Sequence, residues 1–183
     1  MLQYVILQTK WGYFGLAGEG DAVRRTCLPA PDAEVVKHRL LLDLNPTDSG
    51  FQLDPGWLPT LQERIIAYFS GENIDFSVDP PILLDHATTF SRRVLNACRA
   101  IPFGQTRTYS DLAKQVGSPG AARAVGGVMA ANPVPLIVPC HRVLRTDGGL
   151  GGFSAPGGTA AKQRMLELER VSAAERSIHI DSV

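Results

Sequence analysis

A cysteine followed directly by a histidine, Cys140-His141, is the pair in this sequence whose residue types best fit covalent chemistry. A thiolate is a strong nucleophile, so the thiol must lose its proton near pH 7, below its usual pKa of about 8.5. Because residues 136–143 are predicted to be extended, the two side chains should point to opposite faces of the segment. We therefore expect a water molecule to relay the proton to the imidazole, with a carboxylate holding the imidazole from its far side.

The backbone around this pair should be rigid. Pro139 directly precedes the cysteine, and the turn Asn132-Pro133-Val134-Pro135 lies a few residues upstream. A rigid backbone holds a reactive thiol in a preorganised position. The other two cysteines, Cys27 and Cys98, form no C-x-x-C pair, so neither a disulfide framework nor a zinc ribbon is expected, and both should be core residues.

Residues 110–131 are predicted to form two short helices joined by the turn Gly117-Ser118-Pro119-Gly120, a spacing typical of a helix-turn-helix. The second helix carries mainly alanine and glycine, which cannot hydrogen-bond to base edges, so sequence-specific readout of DNA is not expected. Its smooth surface could approach a DNA backbone closely, or Gly126 and Gly127 could pack against another helix of the chain. Arg123 could pair with a carboxylate, contact a phosphate or enter a base stack.

Taken together, these motifs resemble the methylated-DNA–protein-cysteine methyltransferases, also called O6-alkylguanine-DNA alkyltransferases. The resemblance is close over residues 90–170 and holds only in outline over residues 1–89. It implies DNA repair by one irreversible transfer of a methyl or small alkyl group from O6-alkylguanine, or from O4-alkylthymine, to the cysteine, without a cofactor. The motifs that carry it are Tyr109, Ala121-Ala122-Arg123-Ala124-Val125-Gly126-Gly127, Asn132-Pro133-Val134-Pro135 and Pro139-Cys140-His141-Arg142-Val143.

The resemblance assigns a role to each residue of the catalytic group. Cys140 would be the alkyl acceptor, His141 the base that acts through water, and Glu169 the carboxylate behind it. Asn132 would tie the second helix of the helix-turn-helix to the cysteine segment. Tyr109 would donate a hydrogen bond to the guanine as it leaves.

The substrate pocket follows from the same resemblance. The backbone carbonyls of Cys140 and Val143 would accept hydrogen bonds from the exocyclic amine of guanine, and Ser154 would contact the alkylated oxygen. Phe153 stands where some family members have tyrosine, and Ala155-Pro156 lengthens the loop that follows. The residues expected to line the pocket are Tyr109, Val143, Phe153 and Ser154.

The partner implied by the resemblance is double-stranded DNA, bound largely without sequence preference and through the minor groove. The target atom is inaccessible inside a duplex, so the nucleotide must rotate out, and Arg123 would fill the stack that it leaves. The residues expected at the DNA surface are Arg123, Ala122, Gly126, Ser118 and Thr108.

The whole chain is predicted to have an α+β fold in two domains. Residues 1–86 should form a small ribonuclease-H-like domain of sheet and helices, and residues 87–170 a mostly helical domain that contains the helix-turn-helix; the polar tail, 171–183, should be mobile. Predicted strands cover residues 2–8, 11–17 and 22–28. Predicted helices outside the helix-turn-helix cover 33–42, 59–69, 89 or 90 to 100, and 159–170.

Composition and charge narrow the class of protein. Hydrophobic residues are 44% and charged residues 20%, which excludes disorder or a coiled coil as the main state. Residues 1–90 carry 6 Lys+Arg against 12 Asp+Glu, whereas residues 91–170 carry 11 against 4, so the second half is the candidate for an anionic partner. No run of apolar residues is long enough to span a membrane, and the N-terminus lacks the pattern of a secretory signal. A cytoplasmic monomer is expected.

Two other classes remain open on the residues alone. A helix-turn-helix regulator without chemistry would need base-reading side chains on the second helix and has no use for Cys140-His141. A cysteine hydrolase would need a remote histidine and an oxyanion hole, whereas this histidine is adjacent in sequence. A zinc site is not expected, because Cys27, His38 and His86 do not form a spaced ligand set, and His38 should lie at the surface.

Overall fold

A four-stranded sheet occupies the N-terminal half of the chain. The first three strands follow one another through tight turns and pair antiparallel, and the fourth pairs parallel with the first, so the third and fourth strands lie at the two edges of the sheet. The three predicted strands are confirmed; the fourth has three residues, too few to show a periodicity in the sequence. The strands are β1 (Leu2–Thr9), β2 (Gly12–Glu19), β3 (Ala22–Ala30) and β4 (Phe51–Leu53).

The structure, a computed structural model, describes residues 1–42, 44 and 50–180, with side chains described up to Arg170. The sequence also predicts that Asn45-Pro46 closes the segment of the first helix. These two residues lie outside the described residues, as do residues 181–183 of the predicted tail.

The two faces of the sheet bury alternate side chains of the same strands. Helix α1 (Ala33–Leu41) covers one face, where Tyr4 and Ala17 are buried. Helix α2 (Pro59–Phe69) covers the other, where Val5 and Leu16 join the main core. Both helices follow their sequence signals: the Asp32 carboxylate caps α1 by accepting from the N–H groups of the first turn, and α2 begins at a proline and buries one side.

The C-terminal half is mostly helical. Helix α4 (Tyr109–Gln115) begins with a capping box in which Thr108 and Asp111 exchange side-chain and backbone hydrogen bonds. A short parallel pair of strands, which the sequence did not predict, brings the start of α4 next to the segment that follows Cys140. These elements are α3 (Thr89–Arg99), β5 (Arg107–Thr108), α4 (Tyr109–Gln115), α5 (Ala122–Ala130), β6 (Val143–Leu144) and α6 (Gly158–Ile180).

The main hydrophobic core is continuous between the two halves. It runs from Leu16 in the sheet through Phe69 on α2 to Leu112 on α4 and Met165 on α6. The sheet and the C-terminal helices are therefore held together by apolar packing, and α2 lies at the boundary between them.

Two expectations about secondary structure were wrong. Residues 140–142 are not extended but form one 3-10 turn, Cys140–Arg142, in which the Arg142 N–H donates to the Pro139 carbonyl at 2.9 Å. The last helix does not end at Arg170 but continues to Ile180, because no glycine or proline interrupts it there. No helix of the described residues has the length and apolar character needed to cross a membrane.

Candidate active site

Asn132 anchors the 3-10 turn that carries Cys140 and His141. Its side chain lies two residues beyond α5, where Nδ2 donates to the Val138 carbonyl at 2.9 Å and Oδ1 accepts from the Val134 N–H at 3.1 Å. The end of α5 is thereby joined to the segment leading into the turn. Asn132 thus lies between α5 and the cysteine segment, where the family resemblance predicts it.

The Cys140 thiol is nearly enclosed, with 6% of the residue exposed. Burial raises its pKa, and a hydrogen bond from Asn132 and the charge of Lys162 lower the pKa by less. The expectation of a thiol pKa below the ordinary value was therefore wrong. The thiol is protonated at neutral pH, and a base must take its proton as the sulfur reacts.

A buried carboxylate lies directly behind His141. Glu169 Oε1 accepts from His141 Nε2 at 2.6 Å, from the Tyr68 hydroxyl at 2.8 Å and from Arg142 Nη2 at 2.9 Å. Its other oxygen accepts from the Gly104 N–H at 3.0 Å and from Arg142 Nε at 3.0 Å. Arg142 is anchored in turn by donating to the Ile101 carbonyl at 2.6 Å. Every lone-pair direction of this carboxylate is thus occupied by a donor.

These contacts determine where His141 carries its proton. Nε2 must hold the hydrogen that Glu169 accepts, so the Nδ1 atom keeps a lone pair. Within the described residues, Nδ1 is buried and has no hydrogen-bond partner. Burial lowers the pKa of His141 despite the opposing effect of Glu169, so the ring is neutral at pH 7. His141 is consequently a neutral base whose basic atom is the one not bound to Glu169.

The same pKa shifts predict that stability falls in two steps on acidification. The pKa of His141 in the folded protein lies below its ordinary 6.5. Below pH 6.5 the unfolded chain therefore binds a proton on this imidazole that the folded protein does not bind, and the free energy of unfolding falls. Burial raises the pKa of Glu169, but the opposing effect of His141 and Arg142 is larger and brings that pKa down to about 2. The contribution of Glu169 to the free energy of unfolding is therefore complete above its ordinary pKa of 4.5 and is lost as the pH falls from 4.5 towards 2. Urea unfolding at a series of pH values measures both steps. The His141→Gln control should lose the step that begins near pH 6.5, and an unchanged profile would contradict the assignment.

Lys162 is a buried residue of the site that sequence reasoning did not select. It is 1% exposed, and its Nζ donates to the carbonyls of Val143, at 2.6 Å, and Leu150. The ammonium also lies 5.7 Å from the ring centroid of Tyr109. One signal could have found it: together with Met165 and Glu169 it has the i, i+3, i+7 spacing of a buried helix face.

The two carbonyls expected to receive the guanine amine already have partners. The Val143 carbonyl accepts from Lys162, and the Cys140 carbonyl accepts from the Val143 N–H. A carbonyl oxygen has two lone pairs, so each keeps one for a ligand.

A surface groove of about 810 Å³ runs beside α5 and brings together most of the predicted DNA and pocket residues. Within it, an added Cβ at Gly151, whose φ is +71°, would lie 2.5 Å from the Tyr109 hydroxyl, so the loop requires glycine there. The Ser154 hydroxyl donates to the Ala130 carbonyl at 2.8 Å. The predicted residues that line the groove are Tyr109, Ala122, Arg123, Gly126, Phe153 and Ser154.

Cys140 lines a second cleft, of about 660 Å³. Asn132 and Pro135 also line it, and Phe153 and Ser154 line both this cleft and the groove beside α5. The loop at 153–154 therefore forms the partition between the groove beside α5 and the cleft that contains Cys140.

Three of the residues predicted for the DNA surface or the substrate pocket do not line either cavity. Thr108 uses its hydroxyl oxygen to accept from the Asp111 N–H, Ser118 is half-buried in the turn between α4 and α5, and Val143 is fully buried.

Cys27 and Cys98 are buried and His38 is exposed, as predicted. Among the described residues, no group of three or more histidines, cysteines or carboxylates could hold a metal ion.

Comparison with known proteins places the chain in a family. Residues 89–171 match the family model described as "6-O-methylguanine DNA methyltransferase, DNA binding domain". The methylated-DNA–protein-cysteine methyltransferase of Mycobacterium tuberculosis is 35% identical over 170 residues, which is 93% of either chain. That of Mycobacterium leprae is 43% identical over 121 residues, 63% of this chain and 70% of the relative.

Solved structures show the same relationship along nearly the whole chain. The crystal structure of Mycobacterium tuberculosis OGT in complex with DNA superposes with a TM-score of 0.75 at 34% identity, covering 93% of this chain and 94% of that one. The enzyme of Pyrococcus kodakaraensis shares the fold, with a TM-score of 0.69 at 24% identity over 92% of this chain and 99% of its own. The chain therefore belongs to the methylated-DNA–protein-cysteine methyltransferases, which reverse alkyl damage in DNA by moving a methyl group to a protein cysteine.

Proposed function

We propose that this protein removes the alkyl group of O6-alkylguanine, and of O4-alkylthymine, in DNA by a single transfer to its own Cys140. The observation that carries the proposal is the buried thiol of Cys140, followed in the 3-10 turn by a neutral His141 whose Nε2 donates to the buried Glu169 at 2.6 Å. That arrangement supplies a nucleophile that lines a cleft and a base of fixed tautomer.

The proposed reaction is an SN2 displacement at the alkyl carbon. The sulfur of Cys140 forms a bond to carbon as the bond from carbon to O6 breaks, and the bonding electrons pass to the guanine. The thiol proton passes through a water molecule to His141 Nδ1, and Glu169 stabilises the imidazolium that forms. The Tyr109 hydroxyl donates to the departing guanine. Ser154 can do the same only after its hydroxyl turns away from the Ala130 carbonyl.

The groove beside α5 is the proposed DNA-binding surface, with α4 and α5 acting as a helix-turn-helix pair in the minor groove. An added Cβ would meet nothing within 4 Å at Gly127 and would lie 4.0 Å from the Tyr109 ring at Gly126. Packing within the chain therefore does not explain either glycine, which favours close approach by a partner. Since Arg123 is the one long polar side chain on α5, binding should be largely independent of sequence and sensitive to salt.

The finer architecture belongs to the same proposal. We assign residues 1–86 to a ribonuclease-H-like domain, residues 87–170 to the alkyltransferase domain and residues 171–183 to a tail. Support comes from the sheet, in which three antiparallel strands are joined by one parallel edge strand, and from the change to helices after residue 86. The protein is proposed to act as a monomer in the cytoplasm.

Mass spectrometry of the protein after reaction tests this function. The protein is incubated with duplex DNA that contains one O6-methylguanine and is then digested. The peptide that contains Cys140 should gain one methyl group in place of the thiol hydrogen. A regulator would leave every peptide unchanged, and a methyl group on Cys27 or Cys98 would overturn the assignment of the acceptor.

Replacing Arg123 should separate nucleotide flipping from the chemistry. Arg123 is exposed and lines the groove beside α5. If it fills the stack that the flipped nucleotide leaves, Arg123→Ala should slow repair of duplex DNA about tenfold or more, since flipping costs a few kcal/mol. Reaction with free O6-benzylguanine needs no flipping and should keep its rate.

The matched control is Arg107→Ala, which removes another exposed arginine of the C-terminal half outside both cavities. Single-turnover rates on the two substrates give the comparison. Equal losses on duplex and free base would show that Arg123 supports the pocket or the fold instead.

A further inference from the structure

The N-terminal half of the chain contributes the Tyr68 hydroxyl to the buried site. Tyr68 lies on α2 and is fully buried, and its hydroxyl donates to Glu169 Oε1 at 2.8 Å. The same oxygen lies 3.3 Å from His141 Nε2. This hydroxyl therefore touches both members of the pair that would take the proton of Cys140.

We propose that Tyr68 is a positioning residue for alkyl transfer, whose hydroxyl holds Glu169 where that carboxylate fixes the reactive tautomer of His141. The inference rests on the proposed function, because it assumes that Cys140 reacts with His141 as its base. It gives the N-terminal half a part in the reaction beyond structural support.

Packing fixes the Tyr68 ring independently of its hydroxyl. The ring meets Phe69 edge-on at a centroid distance of 5.1 Å and Phe103 edge-on at 6.0 Å. A phenylalanine would fill this space equally well, so apolar packing alone does not require tyrosine. A hydroxyl buried among aromatic rings is costly unless it is hydrogen-bonded, and here its partner is the carboxylate of the site.

The hydroxyl restrains the carboxylate oxygen that matters for the tautomer. Oε2 of Glu169 is held by the Gly104 backbone, whereas Oε1 faces His141 and Tyr68. Arg142 donates to both oxygens and does not by itself select which one faces the imidazole. Tyr68 and His141 are the two residues that donate to Oε1 and not to Oε2. If the Tyr68 hydroxyl is removed, His141 alone determines which carboxylate oxygen faces the imidazole.

Tyr68 can serve only as a donor to this carboxylate. Burial and the charge of Glu169 raise the pKa of Tyr68 well above its ordinary value, so its hydroxyl keeps the proton throughout the pH range of the reaction. A permanent donor at Oε1 stabilises the carboxylate form, which in turn requires the hydrogen of His141 on Nε2.

The variant Tyr68→Phe tests this role because it deletes the hydroxyl and keeps the ring. We expect the single-turnover rate to fall roughly tenfold on both methylated duplex DNA and free O6-benzylguanine, which is the loss expected for one hydrogen bond to a charged group. DNA affinity and the final amount of methyl group per chain should stay unchanged. The imidazole 15N shifts of His141 should move towards a mixture of tautomers.

Tyr4→Phe is the matched control, since Tyr4 is a buried tyrosine that packs on the opposite face of the sheet. It should leave the rate and the 15N shifts of His141 unchanged. Wild-type rates and unchanged 15N shifts in Tyr68→Phe would overturn the proposal, as would equal losses in both variants with lower melting temperatures. Failure of the proposed function itself would look different, because the wild-type protein would then transfer no methyl group to Cys140.

Discussion

Replacing Cys140 by alanine is expected to abolish methyl transfer while leaving DNA binding intact. The sulfur of Cys140 is the nucleophile of the proposed displacement, so its removal leaves nothing to form the new bond to carbon. DNA binding should survive, because the groove beside α5 is lined by residues other than Cys140. Transfer of labelled methyl groups and a binding titration on the same duplex measure the two properties separately.

The remaining cysteines provide the controls for this variant. Cys27 and Cys98 are buried, and burial raises the pKa of both thiols. Replacing either by alanine should leave one transferable equivalent on Cys140. Transfer that persists in Cys140→Ala but disappears in one of these controls would move the nucleophile and break the mechanism.

Glu169→Gln should cause the next largest loss. A glutamine can donate its amide N–H to His141 Nε2, which favours the tautomer with hydrogen on Nδ1 and removes the base. The transfer rate should fall on the order of 100-fold or more, as when a carboxylate that orients a histidine is lost elsewhere. The change also leaves the buried guanidinium of Arg142 without its counter-charge, which should cost roughly 3–5 kcal/mol of the free energy of unfolding.

Single-turnover kinetics and urea unfolding measure the two effects of Glu169→Gln. Glu167→Gln is the matched control, because Glu167 lies on the same helix but is exposed and contacts Gln163. The control should change neither the rate nor the stability appreciably. A Glu169→Gln protein that transfers methyl groups at the wild-type rate would show that Glu169 serves only the fold.

Local signals explain why most helices were predictable. Asp32 caps α1, and Thr108 with Asp111 forms the capping box of α4, so each helix begins where the sequence marks it. The apolar spacing of α2 and the turn before α5 are equally local. By contrast, β4 and the pair β5 and β6 depend on partners distant in sequence and are too short to show a pattern of their own.

The residues of the catalytic group were predictable from the sequence where they form a local motif or belong to the family pattern. Cys140 and His141 stand together in the sequence, and the family resemblance added Glu169 and Asn132. Tyr68, by contrast, reaches Glu169 across 101 positions of the chain. Its contact depends on how α2 packs against the C-terminal helices, which no local pattern reports.

The 3-10 turn at Cys140–Arg142 was missed for a related reason. Proline at 139 and apolar residues before it suggest an extended segment, but the turn is fixed by backbone hydrogen bonds and by Asn132 from the end of α5. The raised pKa of Cys140 is likewise a consequence of burial that composition does not reveal.

A titration of labelled O6-methylguanine duplex against a fixed amount of protein tests the proposed single transfer most directly. After transfer, Cys140 carries a thioether, and neither His141 nor water can displace so poor a leaving group at neutral pH. Label on the protein should reach a plateau at one methyl group per chain. The added methyl group crowds a nearly enclosed site, so the product should be less stable by roughly 1–3 kcal/mol and melt at a lower temperature. Continued turnover beyond one equivalent would contradict the mechanism.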